Sequence, residues 1–261
     1  MDFKNVKFDI IIQGGQSNAE GTGYGPVEKE YVPSENIWYL KAEKTVEIID
    51  DNLRITYLDA PFRIEIAKEH GEAENPIGDF SLTFAKEYEK SLLKADRKLL
   101  IVRSGIGGAG FKKGQWGIGK QLYTKLVELV DYALSLNAEN RVVGFLWHQG
   151  EHDAFEKNEP STFKSALYAQ VNDVRRRYGN MPFIAGDFVN EWKSKNLADC
   201  EPIIEKINEV IKESGNGAFV QTSDLLSNNQ KIGNGDDIHF CRESLHILGR
   251  RYFTAYQALL K

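Results

Sequence analysis

Four short segments of the sequence concentrate residue types that could do chemistry. They are GGQSNAEG at 14–21, SGIGGAG at 104–110, WHQGEHD at 147–153 and DDIHF at 236–240. Together they hold a serine, flexible glycine amides, a glutamine side chain, carboxylates and histidines. These are the components that nucleophilic acyl transfer requires.

Ser17, in the first segment, is the candidate nucleophile. A serine hydroxyl is a poor nucleophile at its ordinary pKa, so it needs a base within hydrogen-bond reach and a third group that orients the base. The glycine-rich turn around Ser17 leaves backbone amides able to point at a developing oxyanion. Taken alone, a serine beside Gly and Asn is usually a turn residue or a helix N-cap. Its functional interpretation therefore depends on the other segments.

His239 is the candidate base, and two carboxylates could orient it. Asp236 stands three residues earlier, where it can lie one turn away and hold the imidazole tautomer. The same pattern arises by chance, and His239 could simply cap the final helix. Glu151 is the second carboxylate, although it could equally be a structural residue at a helix N-terminus, favoured by the helix dipole.

The glycine cluster at 105–110 has an alternative interpretation, because GIGGAG fits the G-x-G-x-x-G fingerprint of a dinucleotide site and follows a predicted strand. The context argues against it. The following residues, FKKGQWG at 111–117, are not a helix start, and about twenty residues further on lies predicted helix rather than an acidic strand end. A dinucleotide-dependent oxidoreductase is the alternative function that this segment offers.

The four segments, in this order, resemble the SGNH-hydrolase superfamily. The resemblance is closest to its branch of sialate O-acetylesterases and acetylxylan esterases, in which a GQSN-type block replaces the more common GDS block. It extends from residue 10 to about residue 253. It implies Ser17 as nucleophile, His239 as base and Asp236 as triad acid, with Glu151 as an alternative or assisting acid.

The resemblance also implies an oxyanion hole. Its donors would be the Ser17 amide, the amide of Gly108 with Gly107 as the alternative, and the side chain of Gln149. From the same blocks we expect Gln16 and Asn18 to contact substrate. Trp116 could stack on a sugar ring, or it could pack in the core instead.

Five short apolar runs alternate with segments of helical periodicity and place these segments at strand ends. The runs are 9–13, 99–103, 142–147, 182–187 and 218–221, and amphipathic helices are predicted around 79–94, 121–136, 160–179, 203–210 and 242–260. This pattern is typical of repeated βα units. We predict an α/β fold, a three-layer αβα sandwich with a five-stranded parallel sheet of flavodoxin-like SGNH type, whose ligands bind beyond the carboxyl ends of the strands.

Residues 41–66 interrupt this alternation. Three short strand-like runs, 46–49, 54–58 and 62–66, follow one another without helices, so we expect an inserted antiparallel element. The βα pattern continues on both sides, so we interpret residues 1–261 as one domain.

The composition limits the partners. A net charge of −5 with scattered Lys and Arg provides no basic stripe for nucleic acid or an anionic membrane. Cys200, Cys241 and the histidines show no metal-ligand spacing, so we expect no metal. No leader or membrane-length apolar run is present, which favours a cytoplasmic protein. The oligomeric state is left open.

The function predicted from these features is hydrolysis of O-acetyl groups on an acetylated carbohydrate through an acetyl-enzyme, without a cofactor. Acetylated sialic acid and acetylated xylo-oligosaccharides are both compatible with the sequence. A noncatalytic carbohydrate-binding relative is the other alternative. Such a protein would lose the nucleophile or the base, whereas this chain keeps both Ser17 and His239.

Overall fold

The computed structural model describes residues 2–50 and 52–261. Its strands are β1 (Lys7–Gly15), β2 (Ile37–Lys41), β3 (Lys44–Ile49), β4 (Asn52–Tyr57), β5 (Arg63–Ile66), β6 (His70–Glu72), β7 (Asn75–Ile77), β8 (Arg97–Arg103), β9 (Arg141–His148), β10 (Phe183–Gly186) and β11 (Gly217–Val220). Its α-helices are α1 (Ser17–Glu20), α2 (Phe80–Ser91), α3 (Gln121–Ser135), α4 (Glu151–Phe155), α5 (Pro160–Tyr178), α6 (Asn190–Lys195), α7 (Leu197–Ser214) and α8 (Arg242–Ala258). The predicted alternation of strands and helices is therefore present.

The main sheet has seven strands in the order β11-β10-β9-β1-β8-β2-β5. All neighbours pair in parallel except β5, which is antiparallel to β2. The α/β class is confirmed, but the predicted number of five strands is wrong. The two additional strands are short and lie at one edge, and half of β5 is the polar pair Arg63 and Glu65. β2 was not predicted although its first four residues are apolar or aromatic, and the run of β5 was predicted as a strand but assigned to the insertion. Their places in the main sheet follow from pairing between distant residues.

Helices cover both faces of this sheet because its central strands are apolar on both sides. In β1, Ile10 and Ile12 belong to one core cluster with residues of α3, α5 and α7. Ile11, on the opposite face, belongs to a second cluster with residues of α2 and α8. Side chains alternate across a strand, so this division produces the three layers that the sequence predicted.

The region predicted as an insertion is divided between two locations. β3 and β4 form the expected antiparallel hairpin, in which Val46 pairs with Ile55. The third run does not join them, since β5 pairs with β2 at the edge of the main sheet. A further pair, β6 with β7, was not predicted. Short strands with mixed polar and apolar residues can pair in several ways, and long-range packing decides between them.

The glycine cluster does not open a helix. After β8 ends at Arg103 the chain forms turns, and α3 begins only at Gln121. A dinucleotide fingerprint requires the helix N-terminus to follow the glycines directly, because its amides bind the pyrophosphate. The structure therefore lacks the context for that alternative. No helix among the described residues has the length and apolar character needed to span a membrane.

Candidate active site

Three adjacent strands bring the glycine-rich and polar segments together. β1 lies between β8 and β9, so the segments that follow Gly15, Arg103 and His148 meet at the carboxyl ends of these strands. Gly15 pairs with His148 and has φ +138, and a Cβ there would lie 2.0 Å from the His148 carbonyl oxygen. Only glycine tolerates this close approach. It lets the chain turn directly into α1, whose first residue is Ser17.

Ser17, His239 and Asp236 are connected by hydrogen bonds. The Ser17 Oγ lies 2.8 Å from Nε2 of His239, and Nδ1 of His239 lies 3.0 Å from Oδ1 of Asp236. Because the carboxylate accepts the Nδ1 proton, Nε2 is the acceptor that can take the serine proton. Ser17 is 7% exposed, whereas the side chain of His239 is 25% exposed. The sequence-predicted nucleophile, base and first-choice acid therefore meet with geometry suited to nucleophilic catalysis.

Asp236 is held in place by its neighbours. It also accepts the backbone N–H of His239 at 2.8 Å, and Asn228 Nδ2 donates to its second oxygen at 3.3 Å. The adjacent Asp237 points elsewhere and pairs with Lys195 at 2.7 Å. Asn228 is fully buried, and its other contacts are with the backbone of Thr22, Tyr24, Gly235 and His239. Sequence reasoning missed Asn228, since an asparagine in a polar loop carries no distinguishing pattern.

Glu151 does not reach the imidazole of His239. It is fully buried, and its Oε1 accepts from Asn18 Nδ2 at 2.8 Å and lies 3.5 Å from His148 Nε2. Burial alone would raise the pKa of Glu151, but its contacts with His148 and Asn18 outweigh burial and lower the pKa below the ordinary value. Of the two candidate acids, the structure brings only Asp236 to His239.

The backbone donors near Ser17 differ in availability. The Gly107 N–H already donates to Glu20 Oε2 at 2.8 Å. Gly108, at φ +72, faces open space, since an added Cβ would meet no atom within 4 Å. Within residues 2–50 and 52–261, the N–H groups of Ser17 and Gly108 donate to no protein acceptor. Both are therefore free to bind an oxyanion, and Gly107 is the weaker candidate.

Gln149 is buried beneath this loop, with 1% of its surface exposed. Its Nε2 donates to Asp153 and lies 3.5 Å from the Ala109 carbonyl oxygen. Asp153 also accepts the backbone N–H groups of Phe111 and Lys112, each at 2.9 Å. Asp153 therefore orients Gln149 and the glycine loop together, and both Nε2 hydrogens of Gln149 face protein acceptors, so the structure does not present this side chain as the expected oxyanion donor. The position of Asp153 four residues after Gln149 was the available signal, which sequence reasoning did not use.

The three residues expected to contact substrate are internal. Gln16 is 3% exposed, and its Oε1 accepts from the backbone N–H of His152 at 3.0 Å. Asn18 is fully buried, and Trp116 is 1% exposed and donates its indole N–H to the Gly15 carbonyl at 3.0 Å. Burial contradicts the expected substrate contact of the Gln16 and Asn18 side chains, and Trp116 takes the core position that was its alternative. Buried backbone groups need partners, which Trp116 provides at the end of β1, Gln16 in the segment after β9 and Asn18 in the loop that carries His239.

Metal ligands are not clustered in the described part of the chain: no group of three or more His, Cys, Asp or Glu side chains is arranged to hold a metal ion. The site therefore offers a serine, an oriented imidazole and backbone donors. This arrangement can attack a carbonyl carbon, stabilise the resulting oxyanion and transfer a proton to a leaving oxygen.

The chain is similar to known esterases. A family model described as carbohydrate esterase, sialic acid-specific acetylesterase, matches residues 7–258. A probable 9-O-acetyl-N-acetylneuraminic acid deacetylase of Escherichia coli (strain K12) is 28% identical over 95 residues, which cover 33% of this chain and 29% of that protein. The match thus spans less than a third of that curated relative.

Solved structures share the fold. NanS is 18% identical, with 97% of each chain covered and a TM-score of 0.73. A protein from Arabidopsis thaliana is also 18% identical, with 96% of this chain and 98% of that chain covered and a TM-score of 0.69. Axe2, an acetylxylan esterase from Geobacillus stearothermophilus, is 9% identical, with 98% and 96% covered and a TM-score of 0.52. At these identities the likeness concerns the fold.

Proposed function

The chain belongs to the carbohydrate esterase family of sialic acid-specific acetylesterases, and we propose from this premise that it removes O-acetyl groups from carbohydrates. In the proposed mechanism Ser17 is the nucleophile, His239 the general base and Asp236 the residue that orients His239. The observation that carries the proposal is the continuous hydrogen-bonded path from Ser17 Oγ through the imidazole to Asp236, with distances of 2.8 Å and 3.0 Å.

The first step is attack on the acetyl carbonyl. The Ser17 hydroxyl proton passes to Nε2 of His239 while Oγ bonds to the carbonyl carbon. The N–H groups of Ser17 and Gly108 stabilise the oxyanion, and Gln149 supports the glycine loop from beneath. Asp236 stabilises the imidazolium through Nδ1. When the carbon–oxygen bond to the sugar breaks, His239 returns the proton to the sugar oxygen and an acetyl-serine remains.

The second step repeats this chemistry with water. His239 takes a proton from water, and the hydroxyl oxygen bonds to the acetyl carbon. As the intermediate collapses, acetate leaves and the proton returns to Ser17. The net reaction converts an acetyl ester and water to a free sugar hydroxyl and acetic acid. None of these steps draws on a group beyond the chain, the substrate and water.

The family description favours acetylated sialic acid as the substrate, with acetylated xylo-oligosaccharides as the second candidate. We also propose a cytoplasmic location, because Cys200 and Cys241 are free and buried, and free thiols are typical of a reducing compartment. Acetate release measured over a panel of acetylated sialic acids and xylo-oligosaccharides tests the substrate. Comparable rates on both classes would contradict a preference for sialic acid.

The nucleophile is tested by Ser17→Ala. We expect aryl acetate turnover to fall by roughly 10⁴-fold or more while the fold is kept, because the attacking oxygen is gone. A serine-reactive organophosphonate should add one label to the wild type and none to the variant. A folded variant that still hydrolysed aryl acetate at the wild-type rate would disprove the mechanism.

A further inference from the structure

Asn18, the residue after the nucleophile, is hydrogen-bonded to the loop that carries His239. Asn18 is fully buried, and its Oδ1 accepts the Phe240 N–H at 3.1 Å while its Nδ2 donates to the Ile238 carbonyl at 3.2 Å. These two backbone groups stand immediately before and after His239. We call the contacts of Asn18 with Ile238 and Phe240 the amide clamp. Since Asn18 follows Ser17 in α1, the clamp links nucleophile and base through one side chain.

Glu151 fixes the direction of that amide. The two ends of an asparagine amide are nearly equal in shape, so hydrogen-bond partners decide which end points where. Glu151 Oε1 lies 2.8 Å from Asn18 Nδ2, and an ionised carboxylate only accepts. A reversed amide would set its oxygen against Glu151 and the Ile238 carbonyl, and its NH₂ against the Phe240 N–H. The carboxylate therefore excludes the orientation in which the clamp cannot form.

Gln16, on the other side of Ser17, holds Glu151 in a similar way. Its Oε1 accepts the backbone N–H of His152 at 3.0 Å and lies 3.4 Å from that of Gly150. The two sequence neighbours of the nucleophile thus each contact the backbone on both sides of one residue. Gln16 brackets Glu151, and Asn18 brackets His239. Glu151 and Asn18 then close the frame by contacting each other.

We propose that Asn18, oriented by Glu151, is the positioning residue that sets the distance between Ser17 and His239. Both side chains are fully buried, and the ring nitrogens of His239 bond to Ser17 and Asp236 instead, so Asn18 and Glu151 act through the backbone of the loop that carries the base. A fully buried carboxylate is costly to maintain, and an apolar residue would fill the space more cheaply. Orientation of the clamp gives that carboxylate a function. This inference rests on the proposed roles of Ser17 and His239.

The test is a double-mutant cycle on aryl acetate hydrolysis with Asn18→Ala and Glu151→Gln. Misplacement of reacting groups by about 1 Å costs about 10²-fold in rate, so we expect Asn18→Ala to lower kcat by about that factor, with KM nearly unchanged. Glu151→Gln should lower kcat by about 10-fold, because an amide only partly enforces the orientation. The double variant should be no slower than Asn18→Ala, since Glu151 acts through Asn18.

Asn140 provides a matched control. It is 8% exposed, and it also uses both ends of its amide on backbone groups, accepting from Phe8 N–H at 2.6 Å and donating to the Ala133 carbonyl at 2.8 Å. It lies at the opposite end of β1. We expect Asn140→Ala to lower the Tm as Asn18→Ala does but to keep the wild-type kcat. An equal loss of kcat in both variants would show that general destabilisation, not positioning, explains the effect.

Two further measurements keep the proposal falsifiable. If Asn18→Ala does not fold, Asn18→Ser replaces it in the cycle, since its short hydroxyl side chain lacks the amide that contacts both Ile238 and Phe240. A crystal structure of the folded variant measures the distance between Ser17 and His239 without depending on turnover or on the sugar substrate. We expect the separation of Ser17 Oγ and His239 Nε2 to exceed the hydrogen-bond limit of about 3.2 Å. An unchanged separation, a wild-type kcat, or additive losses in the double variant would overturn the proposal.

Discussion

Charged side chains are buried at both ends of β1, but the two ends differ in how completely these groups are hydrogen-bonded. Near the amino end, Asp9 is fully buried and every partner is in place: Arg97 donates at 2.7 Å, Arg141 at 2.6 Å and Tyr88 at 2.8 Å. Burial raises the pKa of Asp9, but hydrogen bonds from Arg141 and Tyr88 and the charge of Arg97 outweigh burial and lower it below the ordinary value. This cluster joins β1, β8, β9 and α2.

At the carboxyl end, polar atoms exceed their partners. Three buried atoms between 147 and 151 lack a hydrogen-bond partner among the described residues, namely Trp147 Nε1, Gln149 Oε1 and Glu151 Oε2, and His148 Nε2 has only the 3.5 Å contact with Glu151 Oε1. Buried polar groups are normally satisfied, and an unsatisfied one lowers stability. The comparison shows that the protein itself satisfies the buried charge at the amino end of β1, whereas polar atoms beside the site have no partner among the described residues.

The largest effect expected at the carboxyl end of β1 comes from substitution of Asp236, and the adjacent Asp237 serves as its control. Asp236→Asn should lower kcat by about 10²–10⁴-fold, because an amide no longer fixes the His239 tautomer or stabilises its charged form. Asp237→Asn, which loses only the exposed contact with Lys195, should keep near-normal turnover. The measurement is kcat on aryl acetate with folding checked by circular dichroism. A folded Glu151→Gln that is inactive beside a nearly normal Asp236→Asn would move the acid role to Glu151.

A smaller effect is expected from the residue that supports the glycine loop. Gln149→Ala should lower kcat by roughly 10²-fold, with a smaller change in KM, because the loop that carries the Gly108 N–H loses its buried support and this oxyanion donor is misplaced. Steady-state kinetics on aryl acetate separate the two constants. A variant whose KM rose while kcat held would mean that Gln149 serves substrate binding.

Substitution at the amino end of β1 should give the opposite result, which is a loss of stability without a loss of catalysis. Asp9→Asn leaves the buried Arg97 without its counter-charge, and breaking such a pair costs about 3 kcal/mol in the free energy of unfolding. The wild-type kcat should persist in the folded variant. Denaturant titration measures the first quantity and aryl acetate kinetics the second. A stable variant with impaired turnover would abolish the distinction between the two ends.

The same pair of proteins gives a pH test. The pKa of Asp9 is lower in the folded chain than in the unfolded chain, so its contribution is fully present above the unfolded value of about 3.9 and is lost as pH falls through the folded value. The difference in unfolding free energy between wild type and Asp9→Asn should therefore shrink between about pH 7 and about pH 2. A constant difference would mean that the charge of Asp9 is not what stabilises this end.

Local patterns in the sequence were sufficient for the class of fold, and the order of the four segments, through the family that they resemble, pointed to Ser17, His239 and Asp236 as the candidate nucleophile, base and acid. Apolar runs and helical periodicity indicated the strands and helices, because burial imposes a spacing on neighbouring residues. Ser17, Asp236 and His239 carry signals of type and local spacing, and the hairpin around 46–58 was recognisable for the same reason.

Contacts between distant residues had to come from the tertiary structure. Asn18 meets Glu151 across 133 positions and Phe240 across 222, and nothing in the neighbourhood of either residue specifies the partner. The pairing of β5 with β2 at the edge of the main sheet and the hydrogen bond of Trp116 to Gly15 were likewise not specified by neighbouring residues. Buried polar groups take whichever partners the packed layers bring within reach. The sequence therefore determined which residues could react, and the packing of the sheet decided which residues hold them.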